Sequence, residues 1–155
     1  MYKLSVKLEY AILAVLSLAT HEDAGGAPLS VRAISEKENL SQRFLEQAMN
    51  ALKERGVIEA IRGPYGGYRL AKPSKEITLS DIVFAIEGVR PLRGKRTDQG
   101  HTRTLSSSSS KPKILNQIIA GMGATLESYL IGIDFDHLSR QAQMLQEREA
   151  LTYSI

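Results

Sequence analysis

Two neighbouring stretches hold the residues whose types and spacing could do chemistry, and that chemistry is recognition. Over residues 42 to 54, Gln42, Arg43, Glu46, Gln47, Asn50, Lys53 and Glu54 share one face of a helix at 100° per residue. Phe44, Leu45, Ala48, Met49 and Leu52 fill an opposite arc of about 140°. Long polar side chains on one helix face suit the base edges of a major groove: arginine bridges guanine bidentately, glutamine pairs adenine, and glutamate accepts from cytosine. Just downstream, Arg62-Gly63-Pro64-Tyr65-Gly66-Gly67-Tyr68-Arg69-Leu70 is a glycine-rich tip between two short apolar runs, which reads as a hairpin wing over 57–71.

Covalent chemistry has no candidates. The three histidines, His21, His101 and His137, lie in separate segments with no Ser/His/Asp or metal-spaced set around any of them. Helix capping accounts for Asp134 and Asp136 beside His137 more simply than a metal does. The wing glycines lack the Gly-Lys-Ser/Thr of a phosphate-binding loop. With no cysteine in 155 residues, disulfides, thiolate nucleophiles and thiolate-held metals are excluded. The chain reads as a non-enzyme.

Charge supports a polyanion partner. The net charge is +3, yet residues 30 to 75 hold nine Lys/Arg against five Asp/Glu, and residues 90 to 113 hold seven against one. The longest apolar run, Tyr10 to Ala19, falls short of the roughly 20 residues that cross a bilayer, so no membrane partner is expected and a cytoplasmic location is.

The elements that must position the two stretches follow from periodicity and caps. Residues 5 to 20 form a helix apolar almost all round, which needs cover on several sides. A Gly/Pro loop over 22–29 leads to Ser30, the cap of a second helix with Val31, Ile34 and Leu40 on its apolar side. Ser41 caps the third helix, about 41–55, which stops at Gly56. After the wing, Thr78 or Ser80 begins a fourth helix ending at Gly88. Residues 89–113, with five consecutive serines, have no periodicity and read as a flexible basic, Ser-rich loop. From Ile114, one apolar stripe through Ile118, Ile119, Met122, Leu126 and Tyr129 predicts a helix about 30 Å long that needs a partner surface. The same helix of a second chain is the preferred partner. Asp134 then caps a last helix carrying Leu138, Ala142 and Leu145. The expected fold is mainly α with a small β-hairpin: a winged helix-turn-helix domain over 1–88, the loop 89–113, and a dimerisation helix plus C-terminal helix over 114–155.

Four stretches together, Leu4-Ser5-Val6-Lys7-Leu8-Glu9-Tyr10-Ala11, Leu40-Ser41-Gln42-Arg43-Phe44-Leu45-Glu46-Gln47, Arg62 through Pro73, and Glu76 through Gly88, resemble the Rrf2 family of bacterial winged-helix transcription regulators. The resemblance is close over residues 1 to 90 and loose beyond. It implies a homodimer on an imperfect palindrome, the third helix in the major groove and the wing against the minor groove. Arg43, Glu46 and Gln47 match base-reading positions, and Arg62 matches the wing contact. With Ser41, Gln42 and Asn50 on the helix and Gly63 and Tyr65 on the wing, they form the expected DNA-binding set. The wing glycines would let the backbone approach the sugar-phosphate surface.

One departure is informative. Many members hold an iron-sulfur cluster on three cysteines in the loop matching residues 94 to 110, and this chain has no cysteine. Glu9 sits where some relatives supply a carboxylate ligand, and His101 is the loop's only imidazole, but without thiolates the pair does not make a cluster site. Glu9 therefore reads as a salt-bridge residue at the surface or a subunit interface, and His101 as solvated. No cofactor is expected. Relatives without a cluster respond to a protein partner or a small molecule, so the resemblance implies either such a signal or none, and the expected action is repression. A different class competes with this reading: a winged helix that binds a protein and reads no DNA sequence. The polar helix face and Arg62 argue against it.

Overall fold

Apolar residues nearly all round the first helix require neighbours on several sides, and it has them. The computed structural model describes residues 4–88 and 110–153. Their order is α1 (Val6–Asp23), α2 (Val31–Glu38), α3 (Gln42–Glu54), β1 (Ile58–Ile61), β2 (Gly67–Leu70), a 3₁₀ turn (Ser74–Glu76), α4 (Leu79–Glu87), α5 (Ser110–Ile131) and α6 (Phe135–Tyr153). α1 touches α2, α3, α4, α6 and β2. Its Leu8, Ala11, Ala14, Val15, Leu18 and Ala19 are buried in one core with Ile34, Leu45, Met49, Leu52, Ile58, Leu70, Ile77 and Ile82. The mainly helical fold with a two-stranded wing is the expected one. The loop residue His101 lies outside the described residues.

Local chemistry sets most helix ends. Ser5 Oγ accepts from Leu8 N–H at 3.2 Å and Ser30 Oγ from Ala33 N–H at 3.1 Å, each pairing one of the donors a helix start leaves unmade. Thr78 and Asp81 form a reciprocal capping box, and Asp134 Oδ1 accepts from His137 N–H at 2.8 Å. Gly56 and Gly88, at φ 68° each, end α3 and α4 in the left-handed conformation. Asn39 ends α2 in the same conformation, at φ 52°, which makes the tight turn between α2 and α3.

Several expectations need correction. Ser41 stands at the start of α3, but its side chain makes no capping bond; its main-chain N–H is donated instead to Tyr10 Oη at 3.3 Å. Phe44 is not in the core. It lies at the edge of the apolar arc, 51% exposed, and meets the Tyr10 ring edge-on with centroids 6.4 Å apart. Leu145 is also exposed, because α6 leaves the core after Ala142. α5 starts at Ser110 rather than Ile114, so the end of the expected loop is helical. Pro112 is tolerated there because its missing N–H falls in the first turn, where no helical bond is lost.

The C-terminal helices have unlike surroundings. Leu79 N–H donates to Ile133 O at 2.8 Å and Phe135 N–H to Ile77 O at 3.0 Å, a short bridge that ties the α5–α6 corner to the segment before α4. Phe135 is thereby fully buried in the α1 core. On α5, by contrast, only Gly123 and Leu130 are buried among the residues whose exposure is described. Ile114, Leu115, Ile118, Ile119, Met122 and Tyr129 all stand in solvent.

Candidate nucleic-acid interface

The third helix enters the core through its apolar arc and presents its polar arc outward. Leu45, Ala48, Met49 and Leu52 are fully buried, while Ser41, Gln42, Arg43, Glu46, Gln47, Asn50, Lys53 and Glu54 are exposed. Burying four apolar side chains fixes the rotation of α3 about its axis, so the direction of its polar face is set by the core. Two contacts the sequence reading missed fix its ends. Tyr10 holds the start through Ser41 N–H and the Phe44 ring. At the other end the Arg55 guanidinium lies 4.9 Å from the centroid of the Phe84 ring on α4, a cation–π contact.

On the exposed face, the Gln42 side-chain amide donates to Glu46 Oε1 at 3.0 Å, one turn away. The other carboxylate oxygen of Glu46 stays open to a second donor. Arg43, Gln47 and Asn50 carry no side-chain hydrogen bond or ion pair among the described residues. On α2, Arg32 pairs with Glu36 at 2.7 Å, and the bond and charge of that partner raise the Arg32 pKa above its ordinary value.

The wing pairs Ile58 with Leu70, Glu59 with Arg69, Ala60 with Tyr68 and Ile61 with Gly67 in antiparallel register. Arg69 and Glu59, directly opposite, form a cross-strand ion pair on the exposed face. At the tip Gly66 N–H donates to Gly63 O at 3.0 Å, closing a turn with Pro64 and Tyr65 at its centre. Proline suits the first central position because its φ is already near the turn value. Tyr65 is consequently 87% exposed, and Arg62 and Gly63 beside it are exposed too. Arg69 is engaged by Glu59, whereas Arg62 has no partner among the described residues, which leaves it the free cation of the wing among them.

The wing glycines serve the fold more than expected. A Cβ on Gly67 would lie 2.6 Å from the carbonyl carbon and oxygen of Leu29, and one on Gly66 would lie 2.3 Å from Ile61 O. Their close approaches are to the chain's own backbone. Only Gly63, at φ 125° with open space around it, is free to face another molecule.

Glu9 is exposed in the first turn of α1 and makes no ion pair among the described residues, so the expected salt bridge is not formed there within the chain. No group of three His, Asp or Glu able to hold a metal occurs among the described residues, and no described helix is long and apolar enough to cross a membrane.

Comparison with known proteins adds the biological class. The Rrf2 family model, described as an iron-dependent transcriptional regulator, matches residues 4–141. The transcriptional regulator IscR of Cereibacter sphaeroides is 33% identical over 128 residues, covering 83% of this chain and 81% of that protein. IscR of Aliivibrio salmonicida is 30% identical over 152 residues, covering 95% and 84%. Among solved structures, IscR of T. potens superposes with a TM-score of 0.69 at 26% identity, covering 94% of this chain and 91% of that one. CymR, the global cysteine regulator of B. subtilis, gives 0.67 at 27% identity, covering 91% and 98%. The donor set of this chain does not fit an iron-sulfur cluster, since it contains no thiolate at all.

Proposed function

The chain belongs to the Rrf2 family of DNA-binding transcriptional regulators, not enzymes, and we propose that it binds a palindromic operator as a homodimer and represses from it in the cytoplasm. The observation that carries the proposal is the pairing of an exposed polar face on α3 with an exposed, unpartnered Arg62 at the wing tip. In it, Arg43, Glu46 and Gln47 read base edges in the major groove. Ser41, Gln42 and Asn50 flank them on phosphates or neighbouring bases. Arg62, Gly63 and Tyr65 lie against the minor groove.

The exposed α5 stripe supports the dimer. Ile118 is 53% exposed, Ile119 43%, Met122 61% and Tyr129 67%, with Leu126 half-buried between them. A row of that length is costly to leave in water and is covered most simply by the same row of a second chain. The expected division then becomes a reading domain over 1–88 and a pairing arm that begins with α5 at Ser110 rather than at 114, although the first turns of α6 share the core of the reading domain. Two-fold symmetry predicts half-sites about one helical turn, roughly 34 Å, apart. In the absence of thiolates, a protein partner or a small molecule carries the signal.

The test is selection of duplexes from a random library by the full chain, followed by footprinting and a salt titration. Expected are a symmetric protected site, two chains per duplex, and affinity that falls steeply with salt as counterions are released. A promoter carrying the selected site should lose expression when the protein is supplied. Enrichment of no sequence, with salt-insensitive binding, would favour a protein-interaction module instead.

A further inference from the structure

The last turn of α1 carries two carboxylates, Glu22 and Asp23, at the helix end where the backbone dipole disfavours negative charge. Each is held by a donor from a distant element. Glu22 Oε1 accepts the main-chain N–H of Leu70, the last residue of β2, at 2.8 Å. Asp23 Oδ2 accepts from Ser139 Oγ, and Ser139 is fully buried on α6.

Strand geometry explains why the first bond matters. β1 covers one edge of β2. On the other edge Tyr68 exchanges two main-chain bonds with Leu29, at 2.7 and 3.0 Å. Two residues on, the Leu70 N–H projects from that same outer edge. Leu70 is 5% exposed, so without Glu22 this donor would be buried and unpaired, which folded chains rarely tolerate. The outer edge of the wing is thus fixed at two points, Glu22 at the end of α1 and Leu29 in the α1–α2 loop.

We infer that the last turn of α1 is a joint between α6 and the wing, in which Glu22 is a positioning residue for the wing and the Asp23–Ser139 bond holds the turn against α6. The two carboxylates belong to one helical turn, so a shift of α6 relative to α1 moves Asp23 and carries Glu22 with it. α6 follows α5 across only residues 132–134, and α5 bears the exposed apolar stripe. A change in how that stripe is covered therefore has a short mechanical route to the wing tip. The inference rests on the reading that the wing touches DNA through Arg62.

The test uses the full chain and a duplex selected from a random library by the wild-type protein. Arg62→Ala is expected to weaken binding by about fivefold to a hundredfold. Glu22→Ala should weaken it about threefold to tenfold, and Glu22→Gln, whose amide oxygen still accepts from Leu70, should stay within about twofold of wild type. Ser139→Ala should give a smaller loss. Both losses should shrink in the Arg62→Ala background, because they act through the wing. Amide hydrogen exchange supplies a readout independent of DNA: the Leu70 N–H should exchange faster in Glu22→Ala and Ser139→Ala, and at the wild-type rate in Glu22→Gln. Losses that persist undiminished beside Arg62→Ala, or a Leu70 amide indifferent to Ser139→Ala, would overturn the joint and leave the wing reading standing. An Arg62→Ala protein that binds as wild type would overturn the wing reading itself, and the joint with it.

Discussion

Replacing Gly67 by alanine separates two explanations of the wing glycines, closeness to DNA and closeness to the chain itself. A methyl group at this position would lie 2.6 Å from the carbonyl carbon and oxygen of Leu29 and 3.0 Å from Ser30 N, all backbone atoms that cannot rotate away. β2 and the Leu29 segment must separate to admit it. That strains or breaks the two main-chain bonds between Leu29 and Tyr68, at 2.7 and 3.0 Å. Two net hydrogen bonds at about 1 kcal/mol each, plus residual strain, amount to about 2 to 3 kcal/mol. For a chain of this size that is a fall of about 4 to 12 °C in melting temperature. Gly63→Ala is the control, since nothing lies within 4 Å of the added methyl and only the strain of φ 125° opposes it. Thermal melts of the free proteins followed by circular dichroism, with affinity for a selected duplex measured alongside, decide the matter. A Gly67→Ala protein with an unchanged melt and weakened DNA binding would refute the reasoning, because the glycine would then serve the nucleic acid.

Phe135→Ala should cost about 3 to 5 kcal/mol in denaturant unfolding, because a fully buried aromatic side chain is removed from the α1 core; a loss under about 1 kcal/mol would show that α6 does not belong to that core. Ile118→Glu with Met122→Glu, both at exposed positions, should leave the fold intact and give a monomer by sedimentation equilibrium, and a persisting dimer would remove the α5 stripe from the interface. This pair is a cleaner test than cutting the chain before α5, which would also take Phe135 out of the core. Tyr10→Phe keeps the ring against Phe44 and deletes only the acceptor for Ser41 N–H, so it should cost about 0.5 to 1.5 kcal/mol of stability and a similar share of DNA affinity; calorimetry showing no change would mean that water replaces the phenol.

What could be read before any fold was known was written in local chemistry. A serine, threonine or aspartate caps a helix through an N–H two or three residues away, so Ser30 and Asp134 announce helix starts by themselves, and Thr78 is one of two candidates for the fourth. A glycine that must turn left-handed marks a helix end within the same few residues, as Gly56 and Gly88 do. The outward face of α3, the hairpin and the exposed α5 stripe follow from periodicity, which is also local. Contacts between distant residues left no such trace. Tyr10 reaches Ser41 across 31 positions, Glu22 reaches Leu70 across 48, and Ser139 reaches Asp23 across 116. Phe135 beside the Asp134 cap, with Leu138 one turn on, was a legible sign of a packed helix start, but its partner surface was not.

The sequence by itself determined the element order, the polar face that α3 offers, the basic glycine-rich wing, and the want of any thiolate for a cluster. Tertiary structure alone decided that Phe44 lies outside the core and Phe135 inside it, that Arg69 is paired while Arg62 is free among the described residues, and that the wing is held by Glu22 of α1 and Leu29 of the α1–α2 loop. Capping and periodicity act within a few residues along the chain, whereas burial and donor pairing depend on which distant residues the closed core brings within 3 to 4 Å of one another.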